Sequence, residues 1–370
     1  MNTSDKGIGT ISSFLEKVKT IEKPKDGYLR FYRGQPVDKP LIPNIFRDDC
    51  FKKHESEIYN EIVNRKPEEF INCKCTFDHL VKMQHYNIPT RLLDITSNPL
   101  IALYFALSSN NLAEPTVYCL DIPTYHVKNY NSDNVTILSN LARYDEYSKE
   151  NLLYDVATTN KIIEIFALKI LSAFTTKFKS ETFSQGYLMQ ILEDKTLRDK
   201  VEREIEIELS KDYNTLKKNI SIGNELISIM DRVKQDRPIF SAHIENIDRA
   251  KAMVTPAFYK IEDHRFLHEI KQDKPYFLDL MNVETFNTIF CVKPRLNNPR
   301  LIKQNGAFLL FPHATIKLQE NIKITQIGIN KSLADDILKD LSILDINKDS
   351  LFNDIDNVST FIKEKYNKMS

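Results

Sequence analysis

The chain has 370 residues, 42% of them apolar and 28% charged, enough to bury a large core as one big domain or two ordinary ones and too apolar for a disordered chain. Its 51 lysines and arginines balance 51 aspartates and glutamates. That balance excludes a global positive field and the bulk attraction to nucleic acid or anionic membrane it would bring, although a local patch stays open.

In chain order, residues 10–20 carry Ile11, Phe14, Leu15 and Val18 at helical spacing. YLRFYRGQ (28–35) alternates and is aromatic, which predicts a strand ending at Gly34. Three prolines make 36–46 a loop, HESEIYNEIVNR (54–65) is a mixed-charge helix, and another helix covers 76–86. A further helix runs through Leu107, with Asn98 or Ser97 as its cap and Pro99 in its first turn. It is apolar on nearly every side, so it is buried. PTVYCLDIP (115–123) reads as a strand. From about 126 to 260 the chain turns charged and helical in period. Strand character returns at 288–296, 306–312 and 320–329, followed by helices at 332–341 and at the C-terminus. The expectation is an α+β fold: a core domain with a small mixed or antiparallel sheet, made of 1–125 and 261–370, carrying a mostly helical insertion at 126–260.

The chain has only eight glycines, where average usage gives about 25. Neither G-x-x-x-x-G-K-[ST] nor G-x-G-x-x-G occurs, so a nucleotide would bind without either loop. Five cysteines, an odd number, point to reduced thiols and a cytoplasmic setting. Cys73 and Cys75 have no second pair to complete a zinc site. HRFLH (264–268) offers two histidines four apart but lacks the glutamate of H-E-x-x-H, so no metal is expected. The opening residues lack a signal-peptide core, and the longest apolar run, Ile162 to Phe174, is interrupted by Glu164 and Lys169, so no membrane association is expected.

Three segments carry a resemblance: Tyr32-Arg33-Gly34-Gln35, then MQHYNIPTRLLDITSNPLIALYFAL (83–107), then NNPRLIKQNGAFLLF (297–311). They resemble the signatures of the FRG domain family, with Tyr32 in place of the family's phenylalanine, Asn87 where glycine is usual and Ile95 where an aromatic is usual. LKDLSILDINKDSLFNDID also resembles the family's C-terminal helix-turn-helix tail, and the likeness spans roughly 28–121 and 265–365. FRG domains occur in bacterial and phage proteins, including toxin-like and phage-defence settings. A more distant likeness is to ADP-ribosyltransferases, whose split pair of small sheets binds NAD without a glycine-rich loop.

That likeness implies NAD as substrate, with Arg33, His85 and Gln304 as catalytic candidates. It makes Arg33, Gly34, Thr90, Arg91, Thr96, Ser97, Asn98 and Arg300 candidates for binding it. The planar fork of Arg33 suits a diphosphate, or equally a core carboxylate such as Asp94. Gly34 would let a ligand approach the backbone. His85 suits a proton shuttle or a ribose hydroxyl, or a structural role. Arg91 and Asp94, three apart, could pair with each other. Thr96 and Ser97 could cap the helix, and exposed amides there could also meet a phosphate or carboxamide. Gln304 stands where the transferases place a glutamate, so it can hold a ribose hydroxyl but lends no charge to an oxocarbenium. Glu269, Glu284 and Glu320 are alternative carboxylates. Two functions follow as expectations: an NAD-dependent ADP-ribosyltransferase of toxin or anti-phage type acting on a protein or nucleic acid, or a non-catalytic nucleotide- or peptide-binding module. In either, the insertion is a place for a macromolecular target or an inhibitor to bind.

Overall fold

The structure is a computed structural model that describes residues 8–153, 258–260, 263–278, 280–314, 318 and 322–352. The chain divides into two units: Met1–Glu146 with Glu269–Pro275 and Asn287–Ser370, and Tyr147–His268 with Tyr276–Phe286. Most of the expected helical insertion, 154–257, lies outside the described residues.

The first unit opens with α1 (Ile11–Thr20), started by a capping box between Thr10 and Ser13. β1 (Tyr28–Gln35) follows, one residue longer than the alternation predicts. Short α2 (Asp49–Lys53) leads into α3 (Glu55–Arg65), α4 (Pro67–Phe70) and α5 (Thr76–His85). Next comes β2 (Leu92–Thr96), a strand where the sequence shows only a polar lead-in to a helix. α6 (Pro99–Leu107) is capped by Asn98, whose Oδ1 accepts from Leu100 N at 2.9 Å. β3 (Thr116–Pro123), β4 (Val127–Asn129) and α7 (Asp133–Asn140) carry the core beyond the expected boundary at residue 125, since β4 joins the main sheet. β5 (Phe258–Lys260) precedes α8 (His264–Asp273), and β6 (Leu280–Asn282) pairs with β5 as a two-stranded sheet. β7 (Phe290–Lys293), α9 (Pro299–Lys303), β8 (Gly306–Leu310) and β9 (Lys323–Gly328) follow. α10 (Ala334–Ile343) and α11 (Lys348–Leu351) end the described chain, and the rest of the expected C-terminal helix lies outside it.

The fold is α+β. Its sheet has seven strands in the order β4-β7-β8-β2-β1-β3-β9, antiparallel except for the parallel β4–β7 pair. β1 pairs with β3 along its whole length, and β2 does the same with β8. β1 and β2 meet at one pair only, Tyr32↔Thr96. The sheet is therefore two ribbons joined at a point: β2 ends at Thr96, and its earlier residues have no ladder with β1.

Strand periodicity sorts the core. Val117 and Cys119 pack with α6, α10 and Phe14 on one face, while Tyr118, Leu120 and Ile122 pack with Phe31, Leu93, Ile95 and Leu309 on the other. Gly34 is what lets α6 lie against β1. A Cβ there would stand 1.8 Å from the Ala102 carbonyl oxygen and 2.6 Å from Ala106 N. This glycine admits a helix backbone, where the sequence suggested a ligand. Asn87, in the turn between α5 and β2, has φ 60°. Asparagine tolerates that left-handed conformation better than other non-glycine residues, which suits it to this turn.

Candidate functional site

Where β1 and β2 part, the first unit holds a cleft of about 200 Å³. β1 contributes Tyr32, Arg33 and Gly34, and β2 contributes Asp94, Ile95 and Thr96. α6 adds Phe105, while α9 and the turn after it add Arg300, Leu301 and Gln304 above the start of β8. Thus Arg33, Gly34, Thr96, Gln304 and Arg300, assigned from distant parts of the sequence, border one cavity.

Arg33 is half-buried. Its Nη1 donates to the backbone carbonyl of Asp94 at 2.6 Å, bridging the strands where their ladder has stopped. Its Nε is buried without a hydrogen-bond partner. Burial pulls the guanidinium pKa down, and the neighbouring Asp94 carboxylate pushes it back up. A buried donor on a cation, left without an acceptor, is a costly arrangement that an anionic guest would relieve.

Asp94 is exposed on the cleft wall, with Oδ2 accepting from Gln84 Nε2 at 2.9 Å. It is the carboxylate of the cleft, a role the sequence offered to other residues. Glu269 is instead paired with Arg143 at 2.6 Å, Glu284 is exposed in the second unit, and Glu320 lies outside the described residues.

Thr96 Oγ1 donates to the Gln304 carbonyl at 2.7 Å and accepts from Asn98 N at 3.1 Å, tying β2 to the end of α9. The Gln304 side chain donates through Nε2 to the Leu351 carbonyl at 3.0 Å. Phe352 stands over the Arg300 guanidinium at 4.5 Å and meets Phe105 edge-on at 5.9 Å. The C-terminal segment thus braces two of the cleft's walls, α6 and the end of α9, which nothing in the local sequence announces.

Other candidates fall elsewhere. Arg91 is 1% exposed, with Nε and Nη2 bound to Glu55 at 2.9 and 2.5 Å and Nη1 bound to the carbonyls of Phe311 and Pro312. It is a core brace in the bend before β2; it neither pairs with Asp94 nor lines the cleft, because its guanidinium is taken by Glu55 and two backbone carbonyls. Thr90, equally buried, donates to Gln84 Oε1 at 2.6 Å and accepts from Leu92 N, fixing the turn into β2. Asn98 caps α6. Ser97 is exposed outside the cleft, its N–H donating to Asn305 O. His85 lines a second cavity of about 340 Å³, where its Nδ1 lies 3.3 Å from Arg300 Nη1. Arg300 and Leu301 border both cavities.

Among the described residues no group of three or more His, Cys, Asp or Glu could hold a metal ion, and no helix is long and apolar enough to cross a membrane. No curated protein and no solved structure matches the chain. Residues 29–114 match the FRG domain family, a span from β1 to the loop before β3 that includes Arg33, Gly34, Asp94 and Thr96. The chain therefore carries an FRG domain.

Proposed function

We propose that the β1/β2 cleft binds NAD and that the domain transfers its ADP-ribose to a macromolecular acceptor, a protein or a nucleic acid. The observation that carries this reading is the meeting of Arg33, Thr96 and Gln304 in one cleft beside a carboxylate. The unpartnered Arg33 Nε suits a phosphate oxygen of the donor. With its nitrogen committed to Leu351, Gln304 has its oxygen left to accept from a ribose hydroxyl. In the reaction, the bond between the ribose C1′ and the nicotinamide nitrogen breaks, and nicotinamide leaves with the electron pair. Asp94 supplies the negative charge that Gln304 lacks, stabilising the oxocarbenium and taking the proton of the acceptor that attacks C1′. A negative charge beside the developing cation lowers the barrier. A toxin or anti-phage role, and recognition of the target or of an inhibitor by the 126–260 region, belong to the same proposal.

The test is to incubate the pure protein and its Arg33→Ala and Asp94→Asn variants with labelled NAD and a cell extract. Label transfer and nicotinamide release by wild type, lost in both folded variants, support the reading. Neither product from folded wild type ends it. A second reading, binding without turnover, is favoured by the glutamine at 304 and by its tether to Leu351. Calorimetric NAD binding with no nicotinamide release selects it.

A further inference from the structure

We infer that the ligand is held across two cavities, with Arg300 at the midpoint. The nicotinamide-ribose half lies in the β1/β2 cleft, and the adenosine half lies in the second cavity beside α5. This rests on the NAD reading above and deepens it.

Volume makes the first case. Sites that enclose a small ligand span about 300–1,000 Å³, and the cleft alone, at about 200 Å³, takes only part of a dinucleotide. The second cavity, about 340 Å³, lies at the bottom of that range and shares Arg300 and Leu301 with the cleft, so the two together offer a longer ligand more room than either alone.

Chemistry makes the second. The carboxylates on the second cavity are already neutralised. Asp78 pairs with Arg295 at 2.8 Å and accepts from Lys74 N, and Glu69 pairs with Lys82 at 2.9 Å and accepts from Tyr86. An anionic ligand therefore meets no bare negative charge there. Val81, Pro294 and Pro299 offer an apolar platform for a planar ring, and the amides of Asn72 and Asn297 offer donors and acceptors to its edge. Arg300, held over the Phe352 ring and against His85, puts a guanidinium between the two spaces, where a diphosphate joining two nucleosides has its charge. A mononucleotide would fill one cavity and leave the other empty.

The experiment measures binding of NAD, nicotinamide mononucleotide and AMP to the full chain by calorimetry. The variant Val81→Trp fills the second cavity, and Asn297→Trp fills it from the exposed loop should the first fail to fold. Linked halves should bind about 100-fold more tightly than either mononucleotide. In the filled variant NAD should fall to the affinity of nicotinamide mononucleotide, AMP binding should vanish, and the mononucleotide itself should be unchanged. NAD binding that ignores a folded, filled variant overturns this inference and leaves the proposed function standing. Failure of wild type to bind NAD overturns both.

Discussion

Replacing Arg91 with methionine separates scaffold from site. The substitution keeps the length and apolar stem but removes four hydrogen bonds, two to Glu55 and two to the carbonyls of Phe311 and Pro312. Glu55 would be left as a buried carboxylate with its cation gone, and breaking a buried pair from one side costs about 3–5 kcal/mol. Adding Glu55→Leu removes the stranded charge and should restore most of that loss, leaving about 1–3 kcal/mol for the two unpaired carbonyls. Urea unfolding followed by far-UV circular dichroism gives the stabilities, and amide exchange at Leu92–Thr96 reports on the first unit itself. Arg91→Met should leave NAD affinity unchanged in the molecules that remain folded, whereas Arg33→Met should do the reverse. A loss below about 1 kcal/mol for Arg91→Met, well under the buried-pair range, would refute the brace. So would a loss of NAD affinity without a loss of stability.

Gly34→Ala should be among the most damaging single-methyl changes in the chain. Its Cβ would sit 1.8 Å from a helix carbonyl that cannot rotate away, so overpacking at the upper end of about 1–3 kcal/mol or beyond is expected in a melting experiment. His79, held by Tyr59 at 2.6 Å, has its pKa lowered by burial. The unfolded chain then binds more protons, so stability is complete above the ordinary value of about 6.5 and declines as pH falls toward the folded value. His79→Gln should flatten part of that decline in denaturation curves taken between pH 7 and 5, and His126, shifted the same way by burial, contributes a further part. An unaltered decline would exclude His79 as a contributor. Burial raises Cys73 and Cys119 to about 11 and Cys75 and Cys291 to about 12, whereas Cys50 is exposed. Iodoacetamide at pH 8 should therefore label Cys50 first, as mass spectrometry would show. Early labelling at Cys291 would contradict the packed sheet.

The amino-acid sequence by itself determined what local forces decide. The aromatic alternation of YLRFYRGQ gives β1, and NPLIALYFAL gives α6 with its asparagine cap and first-turn proline. These signals lie within a turn or two of the residues they govern, so no partner is needed to read them. β2 was illegible because five residues squeezed between a turn and a helix cap have too short a pattern, and the ladder that makes them a strand lies at Gly306–Leu310. The partner of Arg91 is 36 residues away and the acceptor for Thr96 is 208 away, so one arginine became a brace and one threonine a tie through contacts that only chain folding creates. Asp94 entered the cleft for the same reason: the parting of β1 and β2 after a single pair is a property of two ribbons meeting, which neither strand encodes alone. Local propensity sets the elements, but a cavity is the space several of them leave unfilled, and that space exists only once they are packed.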